Sequence, residues 1–324
     1  MKELIAAGAK HFQEELQALE ECLQGLLDSE IPAVANLGRY MVESGGKRFR
    51  PLLTLLFYKL LGEEKPRKAA IELGSVIEMI HLATLAHDDV IDQAATRRNR
   101  PALWKSAGNR SAVLEGDFIF SRAFRLLNPY SSEIRSILIE AVEEVLQGEL
   151  LQEHLRLKLP TEEQYQRVIA GKTASLISAA CLMGALTGNP NLKEWQRNSI
   201  QQAGMLLGES FQMIDDLLDV FGDESLGKPR WTDQRGGWLT WPYIRLIEKS
   251  GSNEHLDLLF SLDLSEDGKR EILTAMEKLG IRQEFTAKAG QKIDQMKKML
   301  DWISDSALKV LLFESSDFVL QRSS

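Results

Sequence analysis

Residues 77–92 read IEMIHLATLAHDDVID, an apolar stretch that ends in three aspartates. Its apolar residues recur at intervals of three and four, which is the period of an α-helix. Four residues advance a helix by about 400°, so Asp88 and Asp92 lie on one face, one turn apart, with Asp89 beside them. Like charges at that spacing repel each other, and among so many apolar side chains they require a counter-ion. The stretch therefore predicts a largely buried helix with a cation site near its end.

Residues 211–220, FQMIDDLLDV, repeat this arrangement far along the chain. Asp215 and Asp219 again share a helix face, with Asp216 adjacent. A solvated acidic face would explain one such run, but two runs in apolar helices favour a functional site. Clusters made only of carboxylates suit hard divalent cations, and Mg²⁺ in particular bridges carboxylates to substrate phosphates. The two stretches predict Mg²⁺ and a phosphorylated ligand between two helices.

Helical periodicity continues through most of the chain, and nine prolines separate the periodic stretches rather than interrupt them. Residues 52–61 and 179–186 are apolar around most of the helix circumference, which predicts central helices surrounded by others. Alternating runs with hairpin turns are scarce, and no linker rich in Gly, Ser or Pro divides the chain. We predict an all-α fold of about a dozen helices in a single domain, residues 1–324.

The composition is that of an ordinary globular protein, with 324 residues, 44% apolar and 27% charged, and a net charge of −8. That negative charge argues against general nucleic-acid binding, which needs a basic face. Cys22 and Cys181 are too few and too far apart for a disulfide framework or a zinc cluster. No apolar run comes near the roughly 18 residues of a membrane span. We expect a soluble, cytoplasmic protein without an integral membrane segment.

Residues 45–51, GGKRFRP, bring three cations to the predicted start of a helix. Pro51 suits the first position of that helix, because its missing N–H would be unpaired there. The free N–H groups of the helix start, together with Lys47, Arg48 and Arg50, predict an anion site. A charged surface turn would give the same pattern, so this stretch alone does not establish an anion site and must be combined with the other motifs.

Other cationic and hydroxyl-bearing residues lie near these stretches in the sequence. They are His81, Arg97, Arg98, Lys172, Thr173 and Lys228. An arginine just after the first acidic stretch either neutralises its aspartates or binds a phosphate through two hydrogen bonds. His81 precedes Asp88 by two helical turns and shares its face, although a lone helical histidine is more often packed in a core. Lys228 lies in the irregular segment 223–237, whose length is typical of a functional lid.

In this order and spacing, the motifs resemble those of the polyprenyl synthase branch of the isoprenoid synthase family, over nearly the whole chain. The matching stretches are GGKRFRP (45–51), HLATLAHDDVID (81–92), RR (97–98), VLEGDFIF (113–120), GKTASL (171–176) and FQMIDDLLD (211–219). The resemblance implies the isoprenoid synthase fold, a helical bundle around a deep central cavity, working as a homodimer. The implied activity is Mg²⁺-dependent trans-prenyl transfer, in which isopentenyl diphosphate is condensed with an allylic diphosphate such as farnesyl diphosphate.

The resemblance also implies a role for each motif residue. The metal ligands would be Asp88, Asp92, Asp215 and Asp219, holding three Mg²⁺ ions on the allylic diphosphate. That diphosphate would also be bound by Arg97, Lys172, Thr173, Gln212 and Lys228. Isopentenyl diphosphate would be bound by Lys47, Arg50, His81 and Arg98. The residues expected to act in catalysis, by stabilising the departing diphosphate, are Asp88, Asp92, Arg97, Lys172 and Asp215.

Product length is indicated by the residues that precede the first aspartates. Ala83 and Thr84 lie five and four residues before Asp88, and in short-chain relatives an aromatic residue there stops the growing tail. Two small side chains imply a long-chain all-trans product, hexaprenyl to octaprenyl or longer, with a short geranylgeranyl product as the alternative. The cavity floor would then lie deeper. Candidates for it, each equally explained by core packing, are Phe120, Phe124, Leu127 and Leu151.

Two positions depart from the family pattern. Asn99 follows Arg98 where relatives commonly have glycine, and Trp238 stands where they usually have lysine. The loss of that lysine predicts a weaker hold on the allylic diphosphate. A non-catalytic partner subunit of a heteromeric synthase is therefore one alternative, although such subunits tend to lose an aspartate motif and both are intact here. A cyclase or head-to-head enzyme is another, but it would have no isopentenyl diphosphate for the basic residues to hold.

Overall fold

The structure is a computed structural model, and it describes residues 12–62, 67–98, 100–222 and 230–321. Most of these residues are helical. Sixteen α-helices lie within these residues. They are α1 Gln13–Leu26, α2 Pro32–Glu43, α3 Phe49–Leu61, α4 Arg67–Ile91, α5 Leu103–Ala107, α6 Asn109–Leu127, α7 Ser132–His154, α8 Glu162–Ile169, α9 Ser175–Gly188, α10 Glu194–Phe221, α11 Thr232–Gly236, α12 Trp241–Ser250, α13 Asn253–Leu259, α14 Glu266–Lys278, α15 Ile281–Met299 and α16 Ala307–Gln321. A π-helical turn, Ala170–Ala174, joins α8 to α9.

A short ribbon is the only sheet within the described ranges. Its strands, β1 Thr96–Arg97 and β2 Arg100–Pro101, pair antiparallel. The all-α prediction is therefore confirmed. The helices outnumber the dozen predicted because short ones such as α5, α11 and α13 hold too few residues to show a periodicity.

The centre of the bundle is the contact between α3 and α9, the two helices predicted to be apolar all round. Every residue from Ser175 to Leu186 is buried, and so is every residue from Pro51 to Tyr58. The helices meet backbone to backbone, since a Cβ atom at Gly184 would lie 2.2 Å from the carbonyl oxygen of Thr54. The prediction of two central helices is confirmed.

The helix that follows the GGKRFRP stretch begins earlier than predicted. α3 starts at Phe49, so Pro51 is its third residue rather than its first. Pro51 still lies within the first turn, where no hydrogen bond inside the helix would use its missing N–H.

The long helix α10 links three hydrophobic clusters. Leu207 in its first half belongs to the main core around α3, α4 and α9. Ile214 in its second half packs in a cluster with Trp241, and Val220 near its end belongs to a third cluster. The second acidic stretch therefore lies on a helix that is held by packing along its whole length.

Two helical segments pass the length and composition test for a membrane span. They are Lys68–Ile91 and Glu162–Gly188, with mean hydropathies of 1.4 and 1.5. This corrects the expectation that no apolar run approaches that length. Within the bundle, however, 67% and 83% of their most apolar windows are buried. Other helices of the protein cover most of their apolar surface, as is usual for central helices of a globular core.

Glu115 on α6 is a buried carboxylate that forms no salt bridge within the described residues. It is 3% exposed, and its Oε1 atom has no hydrogen-bond partner among the described residues. Burial raises the pKa of Glu115 from the ordinary value of 4.5 to about 7. Between these pH values the folded chain therefore binds more protons than the unfolded chain, so its stability falls as the pH rises through that window.

We expect the substitution Glu115→Gln to weaken this pH dependence. At about pH 8 the parent carries a buried charge that the variant lacks, whereas near pH 5 the folded parent is mostly uncharged at this position. On going from pH 5 to pH 8, the variant should gain about 1–3 kcal/mol of unfolding free energy relative to the parent. Urea unfolding at both pH values measures this difference.

The matched control for this prediction is Glu140→Gln, which removes an exposed carboxylate on α7. Its unfolding free energy should follow that of the parent at both pH values, because an exposed carboxylate is solvated equally in the folded and unfolded chains. A Glu115→Gln variant that tracks the parent as closely as this control does would contradict the prediction.

Candidate active site

The first acidic motif, residues 88–92, lies at the end of α4. The helix ends at Ile91, but the Asp92 N–H still donates to the Asp88 carbonyl oxygen at 2.7 Å, so the turn continues. Asp88 is half-buried and Asp92 is exposed. Asp92 contributes to the shift in the pKa of Asp88. The structure thus brings these two carboxylates together, as the sequence predicted.

Asp89, between them in sequence, is engaged by Arg97. It is 3% exposed, and its Oδ1 atom accepts hydrogen bonds from Arg97 Nε at 2.9 Å and Nη2 at 2.5 Å. The sequence left open whether this arginine neutralises an aspartate or binds a phosphate. The structure shows the first role with Asp89, and the second stays a prediction.

Carboxylates crowd together around Asp88. Burial, and then the nearby charge of Glu149, raise the pKa of Asp88 to about 7. Burial also raises the pKa of Asp92, and Glu149 adds to that shift. Carboxylates whose charged forms are disfavoured in this way gain most from a nearby cation.

Lys172 supplies a cation that faces these carboxylates. Its Nζ atom donates to Glu149 Oε2 at 2.8 Å and to Gln152 Oε1 at 2.7 Å, both on α7. Burial disfavours the charged ammonium, but Glu149 and Asp88 outweigh burial and raise the pKa of Lys172. Lys172 is therefore held as a charged group between α7 and the first acidic motif.

The position of Lys172 depends on a close crossing of two backbones. Lys172 lies in the π turn, a local widening of the helix that is frequent at functional sites. A Cβ atom at Gly148 would lie 2.5 Å from the Lys172 backbone nitrogen, and one at Gly171 would lie 2.5 Å from the Glu144 carbonyl oxygen. These two glycines let the π turn lie directly on α7. The sequence predicted the cation here but not the π turn.

Asp219, the last residue of the second acidic motif (residues 215–219), is held by the first residues of α11. Its Oδ1 atom accepts hydrogen bonds from the backbone N–H of Thr232 at 3.0 Å and from the hydroxyl of the same residue. Its Oδ2 atom accepts one from the Asp233 N–H at 3.2 Å. Burial raises the pKa of Asp219, and these hydrogen bonds oppose that shift. The start of α11 thus orients Asp219.

Asp216, in the middle of this motif, is buried and fully engaged. It is 3% exposed. Its Oδ2 atom accepts a hydrogen bond from the Tyr165 hydroxyl and its Oδ1 atom one from Gln212 Nε2, both at 2.7 Å. Gln212 Oε1 in turn accepts from the Thr173 hydroxyl at 2.7 Å. Two of the predicted ligands of the allylic diphosphate, Thr173 and Gln212, are therefore neighbours.

Lys172 brings the two acidic motifs into one site. On one side its charge interacts with Asp88 and Asp92. On the other side it interacts with Asp233, which lies beside Asp219. Lys172 also lines one cavity with Asp216, so it lies near residues of both acidic motifs.

A second group of cations, the basic cluster, consists of Arg50, His81 and Arg98. Burial and the neighbouring guanidinium groups of Arg50 and Arg98 lower the pKa of His81 well below 6.5. Burial also lowers the pKa of each of these arginines. The Arg98 guanidinium lies against Gly46, where a Cβ atom would be 2.7 Å from Nη1. Cations crowded in this way gain from an anion. Lys47, predicted to join them, is exposed in the preceding loop.

Arg48 has a structural role, which corrects the prediction that all three cations of the GGKRFRP stretch bind an anion. It is 7% exposed, and it pairs with Glu20 through Nε at 2.5 Å and with Glu78 through Nη1 at 2.7 Å. Its φ of +47° is uncommon for a residue with a side chain. This left-handed backbone accompanies a side chain that is turned inward, between α1 and α4.

Ala83 and Thr84, the predicted determinants of product length, lie one turn before the first acidic motif. Ala83 is fully buried and belongs to the main core. Thr84 is half-buried, and its hydroxyl donates to the His81 carbonyl oxygen at 2.9 Å. Neither side chain is large, and their role in setting product length stays a prediction.

The candidates for a deeper floor differ in their surroundings. Phe120 is half-buried, with its ring centroid 5.9 Å from that of His87 and 6.4 Å from that of Phe124. Phe124 is 39% exposed, whereas Leu127 is 1% exposed and belongs to the core. Leu151 is half-buried on α7. Phe120, which faces α4, is therefore the best placed of the four.

Part of the predicted lid lies outside the described residues, namely 223–229 with Lys228, and so does Asn99. The remainder of the irregular segment is helical over Thr232–Gly236, which corrects the prediction of a long loop.

Trp238, which departs from the family pattern, lies just after this helix. Its Nε1 atom is buried without a hydrogen-bond partner in the described ranges. It lines a cavity of about 60 Å³ together with Lys172 and Asp216.

The donor set of the site fits Mg²⁺. Within the described residues, no group of three or more His, Cys, Asp or Glu side chains is placed to hold a metal ion unaided. The acidic motifs offer carboxylate oxygens only. Mg²⁺ is usually bound through one or two carboxylates, with water and substrate phosphates at its other positions. The residues present therefore suit an ion that is shared with a diphosphate.

The sequence reasoning missed the residues that orient the motif side chains. Tyr165 contacts Asp216, and Glu149 with Gln152 holds Lys172. The available signal was spacing. Glu149 and Gln152 are three residues apart on one helix face, whereas for Tyr165 the π turn that follows it removes the regular spacing to the GKT residues.

Known proteins are similar to this chain in sequence and in fold. Residues 31–277 match the family model described as Polyprenyl synthetase. Over 303 residues the chain is 33% identical to the octaprenyl diphosphate synthase of Escherichia coli (strain K12), covering 91% of this chain and 92% of that protein. The crystal structure of a decaprenyl diphosphate synthase from Rhodobacter capsulatus is similar with a TM-score of 0.91 at 32% identity, covering 99% of both chains.

A polyprenyl synthase from Caulobacter crescentus CB15, complexed with calcium and isoprenyl diphosphate, is similar with a TM-score of 0.90 at 28% identity, covering 99% of this chain and 98% of that one. The fold is thus the isoprenoid synthase fold, and the protein is a prenyltransferase. The chain belongs to the polyprenyl synthetase family, which confirms the resemblance of its motifs.

Proposed function

We propose that the protein lengthens an allylic diphosphate, such as farnesyl diphosphate, by condensing it with isopentenyl diphosphate. The observation that carries this proposal is the presence of two places for an anion. One is at Lys172, between the acidic motifs, and the other is the basic cluster. An enzyme that cyclises a single diphosphate has no use for the second place, so the pair favours a two-substrate reaction.

The residue roles follow from these two places. We propose that Mg²⁺, as three ions, is held by Asp88, Asp92, Asp215 and Asp219. The allylic diphosphate would also contact Arg97, Lys172, Thr173, Gln212 and Lys228. Isopentenyl diphosphate would be held by Lys47, Arg50, His81 and Arg98. Relatives support the metal assignment, since the Caulobacter enzyme is described with calcium, another hard divalent cation, and an isoprenyl diphosphate.

The reaction follows from the positions of these charges. The bond between C1 of the allylic group and its diphosphate oxygen breaks, and the electron pair leaves with the diphosphate. Mg²⁺ held by the aspartates of the two acidic motifs would neutralise the charge that develops there. The double bond of isopentenyl diphosphate attacks the resulting carbocation, and a proton then passes from the adjacent carbon to the released diphosphate. Apolar side chains of α4 exclude water, which would otherwise quench the cation.

We infer a long-chain all-trans product, hexaprenyl to octaprenyl or longer. Small side chains at Ala83 and Thr84 support it. So do the names of the relatives, an octaprenyl and a decaprenyl diphosphate synthase. A geranylgeranyl product would instead require a block close to the first acidic motif, and the small residues there do not supply one.

We also propose a homodimer, a single domain over residues 1–324, and a cytoplasmic location. Helices α6 and α7 carry large exposed apolar side chains, which favours a protein contact there. These are Val113, Leu114, Phe124, Ile139, Leu146 and Leu150. The sharing of α10 among three hydrophobic clusters supports one domain. The burial of the two apolar helical segments inside the bundle favours a fold that does not span a membrane, and the cytoplasmic location stays a prediction.

Incubation of the purified protein with farnesyl diphosphate, labelled isopentenyl diphosphate and Mg²⁺ tests the function. We expect label in polyprenyl diphosphates of six or more isoprene units, and none after chelation with EDTA. Incorporation should also fail in Asp88→Asn, because the carboxylate then lacks the charge that a divalent cation needs. Absence of incorporation by the parent would favour the partner-subunit alternative, and a cyclic hydrocarbon would favour a cyclase.

We expect Ala83→Phe to shorten the product, because an aromatic ring one turn before Asp88 would block the growing tail. Thr84→Phe should act in the same direction. Chain lengths can be read by chromatography of the dephosphorylated products. The matched control is Ala70→Phe, which overpacks a buried position on the same helix but far from the motif, and should lower stability by about 1–3 kcal/mol without shortening the product. A parental chain-length profile for Ala83→Phe would contradict the prediction.

We expect Trp238→Lys to strengthen the hold on the allylic diphosphate. Trp238 lines the same cavity as Lys172, so an ammonium there would add a charge-assisted hydrogen bond to the diphosphate. The KM for farnesyl diphosphate should fall about tenfold, by roughly 1.4 kcal/mol of binding free energy. Trp195→Lys, at an indole that is 53% exposed on α10, is the matched control and should leave this KM unchanged. An unchanged or higher KM for Trp238→Lys would refute the assignment.

A further inference from the structure

A buried chain of hydrogen bonds runs from Tyr165 to Thr173 through the second acidic motif. Tyr165 donates to Asp216, Gln212 donates to the other oxygen of Asp216, and Thr173 donates to Gln212. All three distances are 2.7 Å. Tyr165, Asp216 and Thr173 are 4%, 3% and 5% exposed. We call this chain the Tyr165 network.

The direction of these hydrogen bonds follows from the ionised form of Asp216, which the hydrogen bonds of Tyr165 and Gln212 favour against burial, the cause that raises its pKa to about 7. An ionised carboxylate only accepts hydrogen bonds, so Gln212 turns its NH₂ group toward Asp216. The carbonyl oxygen of Gln212 then faces Thr173, which must donate its hydroxyl proton to that oxygen. An amide whose two ends are assigned by their neighbours cannot turn over without losing both contacts. The orientation of Gln212 is therefore determined by Asp216.

Tyr165 determines in turn how Asp216 lies. Its ring packs in the hydrophobic cluster of Ile169, Ile214 and Trp241, so the hydroxyl is presented from a fixed position. With Oδ2 held by that hydroxyl, Oδ1 stays directed at Gln212. Without the Tyr165 hydroxyl, the Asp216 carboxylate could rotate about χ2, which is a broad torsion, and accept a hydrogen bond from another donor.

We propose that Tyr165 is a positioning residue, whose hydroxyl holds Asp216 and through it sets the direction in which Gln212 meets the allylic diphosphate. The inference rests on the proposed function, in which Gln212 binds that diphosphate. It also refines the role of Thr173. The Thr173 proton is given to Gln212, so the donor that remains for a phosphate oxygen is the second N–H of the Gln212 amide.

The substitution Tyr165→Phe tests this role, because it keeps the ring and removes only the hydroxyl. We expect the KM for farnesyl diphosphate to rise about tenfold, while the KM for isopentenyl diphosphate stays within twofold of the parent value. Binding of farnesyl thiodiphosphate, whose C–S bond resists ionisation, should weaken by a similar factor in calorimetry with Mg²⁺. That measurement does not depend on turnover.

Tyr243→Phe is the matched control. Tyr243 is fully buried, and its hydroxyl has no hydrogen-bond partner in the part of the chain that the structure describes. Removal of this hydroxyl should leave both KM values and the calorimetric affinity unchanged. The comparison separates the loss of a positioning hydrogen bond from the general effect of removing a buried hydroxyl.

A double-mutant cycle shows whether Tyr165 acts through Gln212. In a Gln212→Ala background, Tyr165→Phe should cause no further loss of affinity for farnesyl thiodiphosphate, since no amide remains to be oriented. Additive losses would mean that the hydroxyl acts by another route. A parental affinity for Tyr165→Phe would overturn the proposal, and so would a melting temperature far below that of Tyr243→Phe, which would assign the hydroxyl to the fold.

Failure of this inference is distinguishable from failure of the proposed function. If the parent elongates farnesyl diphosphate but Tyr165→Phe binds its thio analogue as tightly as the parent does, the function stands and the positioning role falls. If the parent neither elongates farnesyl diphosphate nor binds the analogue, the proposed function falls and the positioning role falls with it.

Discussion

Carboxylates from two helices must be held close together inside a bundle whose apolar interior disfavours charge, and the rest of the site depends on how this is achieved. Burial of an unpaired carboxylate costs several kcal/mol, so each one needs a cation or hydrogen-bond donors. Around the first acidic motif the counter-charges are Arg97, which pairs with Asp89, and Lys172, whose own pKa is raised by Glu149 and Asp88. In the second motif, neutral donors hold Asp216 and Asp219.

Corresponding aspartates of the two acidic motifs have similar surroundings. The second aspartate of each, Asp89 or Asp216, is 3% exposed and accepts hydrogen bonds from a side chain that we assign to the diphosphate. For Asp89 that side chain is Arg97, and for Asp216 it is Gln212. The first aspartates, Asp88 and Asp215, are half-buried. In our proposal, each DDxxD pattern thus combines an aspartate that binds a metal ion with one that holds a neighbouring side chain.

The sequence predicted what depends on periodicity and residue chemistry. The two central helices and the helical settings of the acidic motifs follow from the 3.6-residue period, and the cation at Lys172 follows from the GKT stretch. The direction in which a side chain points from a turn could not be predicted from periodicity or residue type. Arg48 directly precedes α3 and Arg50 is the second residue of that helix, yet only Arg48 pairs with Glu20 and Glu78, and its backbone is left-handed. No local pattern encodes that choice.

The Tyr165 network depends on the π turn, which the regular helical period of the sequence does not reveal. Eight residues separate Tyr165 from Thr173, and in a regular helix they would advance the direction of the side chain by about 800°, roughly 80° past its starting face. A π turn advances less per residue, since its hydrogen bonds close wider rings. Thr173 is thereby returned toward the face of Tyr165, and both side chains can contact α10 one turn apart, at Gln212 and Asp216. With a regular helix in its place, the network that orients the amide of Gln212 would not close.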